Sequence, residues 1–392
     1  MSHVLRCSGY DLEKADIVRA EGCRLVDASG RLYVDFEAGV WCAALGHNPP
    51  FLRRAIADQL ERVAHIGYRY TSVVVEHAAR AVLDVVGFAG GRCVFLSSGS
   101  EAVEFAVQAA RSIAPRPRLL GFADVFLGSY GSSGTKPTDL WHLFDAFACN
   151  DCSSREACDP ACGRLAAIPF DEIGTFVFEP GCSSGLVRFP PSGPVRAIAE
   201  RIRRDGGLLV VNEITAGMGR TGAWFGHHHY GLAPDLVAVG KGLGNGYPVS
   251  AIAMADGVGA RLEGAGFHYA QSHQNDPLGC AVAVAVIDEM RARDLVPRSA
   301  RVGGEILGKL TDMAERQPAI VEVRGRGMMI AIQLAEAVSS LDVFRDLLSD
   351  GLIVGCKPAF NVLRLFPPLV LPEEDVDRLL EALEPALERA IA

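Results

Sequence analysis

The chain has 392 residues, 49% hydrophobic and 22% charged, enough to bury a large core. Its 38 Lys and Arg against 47 Asp and Glu leave a net charge of -9, and no basic cluster is dense enough to follow a phosphate backbone or an anionic membrane. Nucleic acid and membrane are therefore not expected partners. The opening MSHVLRCSGYDLEKAD carries no apolar signal region and the longest apolar stretch, 281 to 287, is far too short to span a bilayer. The chain is therefore expected in the cytoplasm, where its 11 cysteines are expected more as thiols or metal ligands than as disulfides.

In chain order, short apolar runs at 93–96, 175–178, 208–211, 236–239 and 249–254 read as strands, with helical patterns between them. The alternation predicts an α/β fold with a mostly parallel central sheet and helices on both faces. After the first strand, Ser97-Ser98-Gly99-Ser100 opens a helix near Glu101, a turn whose N–H groups and helix dipole suit a dianionic phosphate. Next comes CNDCSSREACDPAC, which places Cys149, Cys152, Cys158 and Cys162 in a loop rich in Asp, Ser and Pro. Four thiolates this close suit Zn or an iron-sulfur cluster, although the spacing matches no zinc-ribbon or ferredoxin pattern, and reduced surface thiols or a local disulfide stay open. Val195, Ile198 and Ile202 recur at helical spacing and predict a crossover helix that stops at Gly206-Gly207. His227-His228-His229 reads as structural.

Lys241 follows the apolar run 236–239 in a turn kept open by Gly240, Gly242, Gly244 and Gly246. An amine desolvated there becomes nucleophilic toward a carbonyl and is a candidate for a Schiff base; the alternative is a solvated loop lysine. From about residue 290 the pattern runs helix, strand, strand, helix, strand, helix, ending in an amphipathic stretch from Glu373 to Arg389. The expected organisation is residues 1–50 and 291–392 in a small α+β domain, with 51–290 as the large domain and the cysteine-rich loop 149–162 within it.

The stretch 211–248 resembles the class III, or omega, aminotransferases, which bind pyridoxal phosphate (PLP) in an aspartate-aminotransferase-like fold of type I. Glu213 of an acidic pair, Gly217-Met218-Gly219-Arg220-Thr221-Gly222, Pro234-Asp235 and Lys241-Gly242 fall in the family's register. Further matches are GHNPP near Gly46, SSGSEAVEFAVQAAR from Ser97, FEPGCSSG from Phe178, QSHQNDPLGCA from Gln271, VRGRGMMIAI from Val323 and VLRLFPPLVL from Val362. The resemblance implies a PLP-dependent aminotransferase in which Lys241 forms the internal aldimine and the amino group passes from an amino donor to a 2-oxo acid through pyridoxamine phosphate. It implies a homodimer with sites at the interface.

By the same resemblance Ser98, Gly99 and Ser100 hold the phosphate, Ser272 reaches it from the partner subunit, and Phe126, beside Gly128, stacks on the ring. Ile214 packs the opposite face, Glu179 and Thr215 lie by the cofactor, Arg364 grips the substrate carboxylate, and Trp41 with Cys42 lines the pocket. Four positions depart from the family. Leu127 stands for its histidine, Ser184 for a glutamate that often covers the arginine, Thr215 for a glutamine that often approaches the cofactor's phenolic oxygen, and Asn212 for the aspartate paired with the pyridine nitrogen. An amide carries no charge to hold that nitrogen as a cation, so Asn212 leaves open another fate for the substrate, racemisation, epimerisation or elimination. A low-turnover relative that senses metal through its cysteines is a further alternative.

Overall fold

The computed structural model describes residues 3–5, 11–153, 155–159, 161–182 and 186–391. Its strands are β1 Ile17–Glu21, β2 Arg24–Asp27, β3 Leu32–Asp35, β4 Arg92–Leu96, β5 Arg118–Phe122, β6 Trp141–Phe144, β7 Ile173–Phe178, β8 Leu208–Asn212, β9 Leu236–Val239 and β10 Ser250–Met254. They continue with β11 Ile320–Arg326, β12 Met329–Leu334, β13 Leu352–Ile353, β14 Gly355–Lys357 and β15 Val362–Leu365. The central sheet has the order β4-β10-β9-β8-β7-β5-β6. Its pairs from β9 to β6 are parallel, and β10 runs antiparallel to both neighbours.

β7, β8 and β9 are buried along their whole length, which is why they read as unbroken apolar runs. The five expected strands fall within two residues of their observed ends. β5 and β6 were not anticipated. The helix Gly99–Ile113 packs across β8, β9 and β10, and the expected crossover helix is Ser192–Arg204, between β7 and β8. Where a loop was expected around the cysteines, single helical turns form at Phe147–Cys149 and Gly163–Ala166.

The two ends of the chain build the smaller sheets. β1, β2 and β3 form a meander, and β13 adds parallel to β3, so residues 352–353 close a sheet begun at residue 17. β11-β12-β15-β14 is antiparallel throughout. The C-terminal helix Glu373–Ile391 carries the expected amphipathic stretch and buries Leu379, Leu383 and Leu387. No helix among the described residues is long and apolar enough to cross a membrane.

Candidate active site

Lys241 begins the turn after β9 with φ at 42°, a left-handed conformation that a non-glycine residue adopts at a cost and that clusters at functional sites. Its Nζ donates to Thr215 Oγ1 at 2.7 Å and lies 4.6 Å from the centre of the Trp41 ring. Burial pulls the amine below the usual lysine range, and Arg364 pulls the same way against Cys42 and Glu179. Asn245, four residues on, accepts from Leu45 N–H at 2.6 Å and donates to Gly46 O at 2.9 Å, fastening the N-terminal segment beside this turn. The amine is thus half-buried and weakened against an aromatic ring, an environment unlike that of a solvated loop lysine.

The anion turn forms at the end of β4. Ser98 caps the helix Gly99–Ile113, its hydroxyl accepting from Glu101 N–H at 3.2 Å, while Glu101 accepts the N–H groups of Ser97 and Ser98, each at 3.0 Å. The N–H groups of Gly99 and Ser100, in the first turn, have no partner within the helix and carry its positive end. Gly99 is needed for space: a Cβ there would lie 2.7 Å from Ile214 Cγ2. Ser100 Oγ accepts Ser129 N–H at 3.1 Å, tying Gly128 and Ser129 to the turn.

Asn212 ends β8 and is buried. Its Nδ2 donates to Phe126 O at 3.0 Å and its Oδ1 accepts Ile214 N–H at 3.1 Å. Phe126 N–H in turn donates to the buried Glu179 Oε2 at 3.1 Å, and the Phe126 ring is half exposed. Glu213 points the other way, accepting from Gly226 and His227 N–H and from His227 Nδ1, all at 2.8 Å, so the histidine tract is structural. Asp235 is structural too, exchanging hydrogen bonds with Leu209 at 2.8 Å.

A family model described as aminotransferase class-III matches residues 8–387. The chain belongs to the class-III aminotransferases. An acetylornithine aminotransferase of Archaeoglobus fulgidus is 30% identical, covering 97% of this chain and 96% of the relative. A leucine/methionine racemase of Thermococcus litoralis is 28% identical, covering 94% and 90%. An amine transaminase from an uncultivated Pseudomonas species, solved in its PLP-bound form, is 25% identical with a TM-score of 0.87, covering 100% of this chain and 99% of its own.

This aminotransferase is PLP-dependent, and its residues fit the cofactor. The weakened Lys241 amine suits an aldehyde, the turn 97–100 suits a phosphate, and the Gly99–Ile214 contact closes the floor between them to any side chain. Arg364, on β15, lies with its guanidinium 5.1 Å from the Trp41 ring, which stacks at 4.5 Å on Phe366. Trp41 is thus a buried ring that Lys241, Arg364 and Phe366 all approach. Ser272 is exposed, on a segment anchored by Asn275, whose N–H and Oδ1 bond the backbone of Phe95 at 2.9 Å. Ser184 lies outside the described residues.

The four cysteines lie within the β6–β7 connection, with Cys149 buried, Cys158 and Cys162 half-buried and Cys152 exposed. Burial first, then neighbouring thiols of the same group, push the Cys158 thiol up. Among the described residues the group of three or more ligand atoms gathered within 4.8 Å is His65, His273 and Asp276, not these sulfurs. Two residues were given no role by the sequence, although Arg220 stood within the matched run 217–222. Arg220 is fully buried and donates to the carbonyls of Met328 and Pro367, and burial pulls it down to about 10. Glu37 lies 3.3 Å from Arg364 and had no motif to mark it.

Proposed function

We propose that this enzyme moves an amino group from an amino acid or ω-amine to a 2-oxo acid, with Lys241 as proton carrier and Arg364 as carboxylate anchor. The observation that carries this is the Lys241 amine, largely buried, pulled below the ordinary lysine range by that burial, and bonded to Thr215 at 2.7 Å. PLP, when bound, supplies an aldehyde that takes up the amino group and a ring that spreads the charge left on the donor carbon. With PLP bound, Lys241 Nζ, whose basicity burial lowers, would serve as the base that takes the donor's α proton and as the acid that returns it. With PLP bound, the first-turn N–H groups of Gly99 and Ser100 would hold the phosphate, Phe126 and Ile214 would flank the ring, and a second copy of the chain would bring its Ser272 to the phosphate. We read the enzyme as a cytoplasmic homodimer with these sites at its interface. The relatives' names support acetylornithine as one donor to try and a simple amine as another.

Asn212 favours a second reading. Without a carboxylate the pyridine nitrogen would meet a neutral amide, and a return of the proton to the same carbon would compete with its transfer; the racemase relative fits that outcome. PLP-loaded enzyme mixed with acetylornithine, other amino acids and diamines, without an acceptor, is expected to release oxo product in step with the sites present. Exchange of the donor's α hydrogen with solvent, and no oxo product from any donor, would put the racemase reading first.

A further inference from the structure

Arg364 already has a carboxylate beside it. Its Nη2 lies 3.3 Å from Glu37 Oε1, with side chains only 12% and 14% exposed. Glu37 is aimed by its backbone. The next residues, Ala38, Gly39, Val40 and Trp41, have φ of 48°, 57°, 56° and 71°, a left-handed run that costs about 1–2 kcal/mol for each residue with a side chain. Asp35 holds the run in place. Its Oδ1 accepts the N–H of Glu37 at 2.8 Å and of Ala38 at 3.0 Å, its Oδ2 meets His47 Nε2 at 2.7 Å, and Trp41 N–H closes the turn on Glu37 O at 2.8 Å.

Across from Glu37, Gly355 on β14 pairs in register with Arg364 on β15. A Cβ at Gly355 would lie 1.7 Å from Glu37 Oε1 and 3.0 Å from Arg364 Nε, so the missing side chain makes room for the pair. Arg364 Nε is buried without a hydrogen-bond partner among the described residues. Glu37 therefore engages one side of the guanidinium fork, and it is its charge, not a want of donors, that a second anion meets there.

We propose that Glu37 is a specificity-determining residue: its carboxylate occupies Arg364 in the resting site and must give way before a substrate carboxylate can pair with that guanidinium. The proposal rests on Arg364 as the anchor. Two carboxylates cannot both stay ionised on one mostly buried cation without loss of affinity. The groups facing Glu37 are Arg364 from β15, the Cys356 thiol from β14, and Asp35 and Trp41 on its own segment. Burial pushes the Glu37 carboxyl up to about 7 against the pull of Arg364, and Asp35 adds to the rise. Below that pH Glu37 is neutral and Arg364 accepts a substrate carboxylate. Above it the internal pair excludes one. A donor without a carboxylate at that end is indifferent to the change.

Propanoate titrated into the PLP-loaded enzyme, followed by the cofactor's absorption, is expected to bind about tenfold more weakly at pH 8 than at pH 6. In Glu37→Gln the pH step should vanish and binding at pH 8 should tighten about tenfold, with KM for a 2-oxo acid falling alongside and KM for butylamine unmoved. Gly355→Ala, which pushes the Glu37 carboxylate off Arg364, should also lose the step and serves if Glu37→Gln does not fold. The same affinity and pH step in Glu37→Gln, with Arg364→Leu weakening propanoate, would overturn the proposal and leave the anchor standing. Unaltered propanoate binding in Arg364→Leu would overturn both.

Discussion

At the scale of single residues, the hydrogen bonds of Asn212 fix which end of its amide is which. Ile214 N–H requires an acceptor and Phe126 O requires a donor, so Oδ1 faces the first and Nδ2 the second. An aspartate could keep only one of these bonds. Asn212→Asp should therefore do two things at once. It restores a negative charge for the pyridine nitrogen, and α-proton removal followed by stopped flow with deuterated donor should speed up about tenfold. It also sets a carboxylate oxygen against Phe126 O, and unfolding without cofactor should show a loss of about 1–3 kcal/mol. An unchanged proton-removal rate would mean that charge at this position does not matter here. Lys241 and the Ser98–Ser100 turn were legible because an apolar strand, a lysine or serines, and glycines stand next to one another in the chain. Glu37 was not, since its partner Arg364 lies 327 residues away and the left-handed run that aims it has no composition signal beyond Gly39.

At the scale of elements, strands buried on both faces were the easiest to read. β7, β8 and β9 are apolar runs with no alternation to confuse them. β6 escaped because its four residues include a half-buried His142 and an exposed Leu143, so neither an unbroken run nor a clean alternation marks it. The turn 217–222 matched a family pattern without disclosing its purpose. There Arg220 reaches across to the carbonyls of Met328 and Pro367, and Gly222 packs with no spare room on Ala300, docking the C-terminal segment beside the site. Arg220→Ala leaves those carbonyls buried and short of a donor. Urea unfolding is expected to show a loss of about 2–4 kcal/mol, and a loss under about 0.5 kcal/mol would mean that the two parts dock without it.

At the scale of the whole molecule, the site is assembled from segments far apart in sequence. The N-terminal segment brings Glu37 and Trp41, the turns after β4 and β9 bring the proposed phosphate cradle and the lysine, and β15 brings Arg364. Asn245 and Arg220 fasten the outer segments to the central sheet, so the wall facing Lys241 is set by tertiary contacts rather than by local pattern. The fold class was legible from the alternation of strands and helices, whereas the closing of a sheet by β13 on β3 was not, because two residues carry no periodicity. Everything in the account depends on which lysine meets the cofactor. Borohydride reduction of the PLP-loaded protein followed by peptide mapping tests this directly: the account predicts a pyridoxyl group on the peptide containing Lys241 and its absence in Lys241→Ala. A pyridoxyl group on another lysine, or none on any, would contradict it.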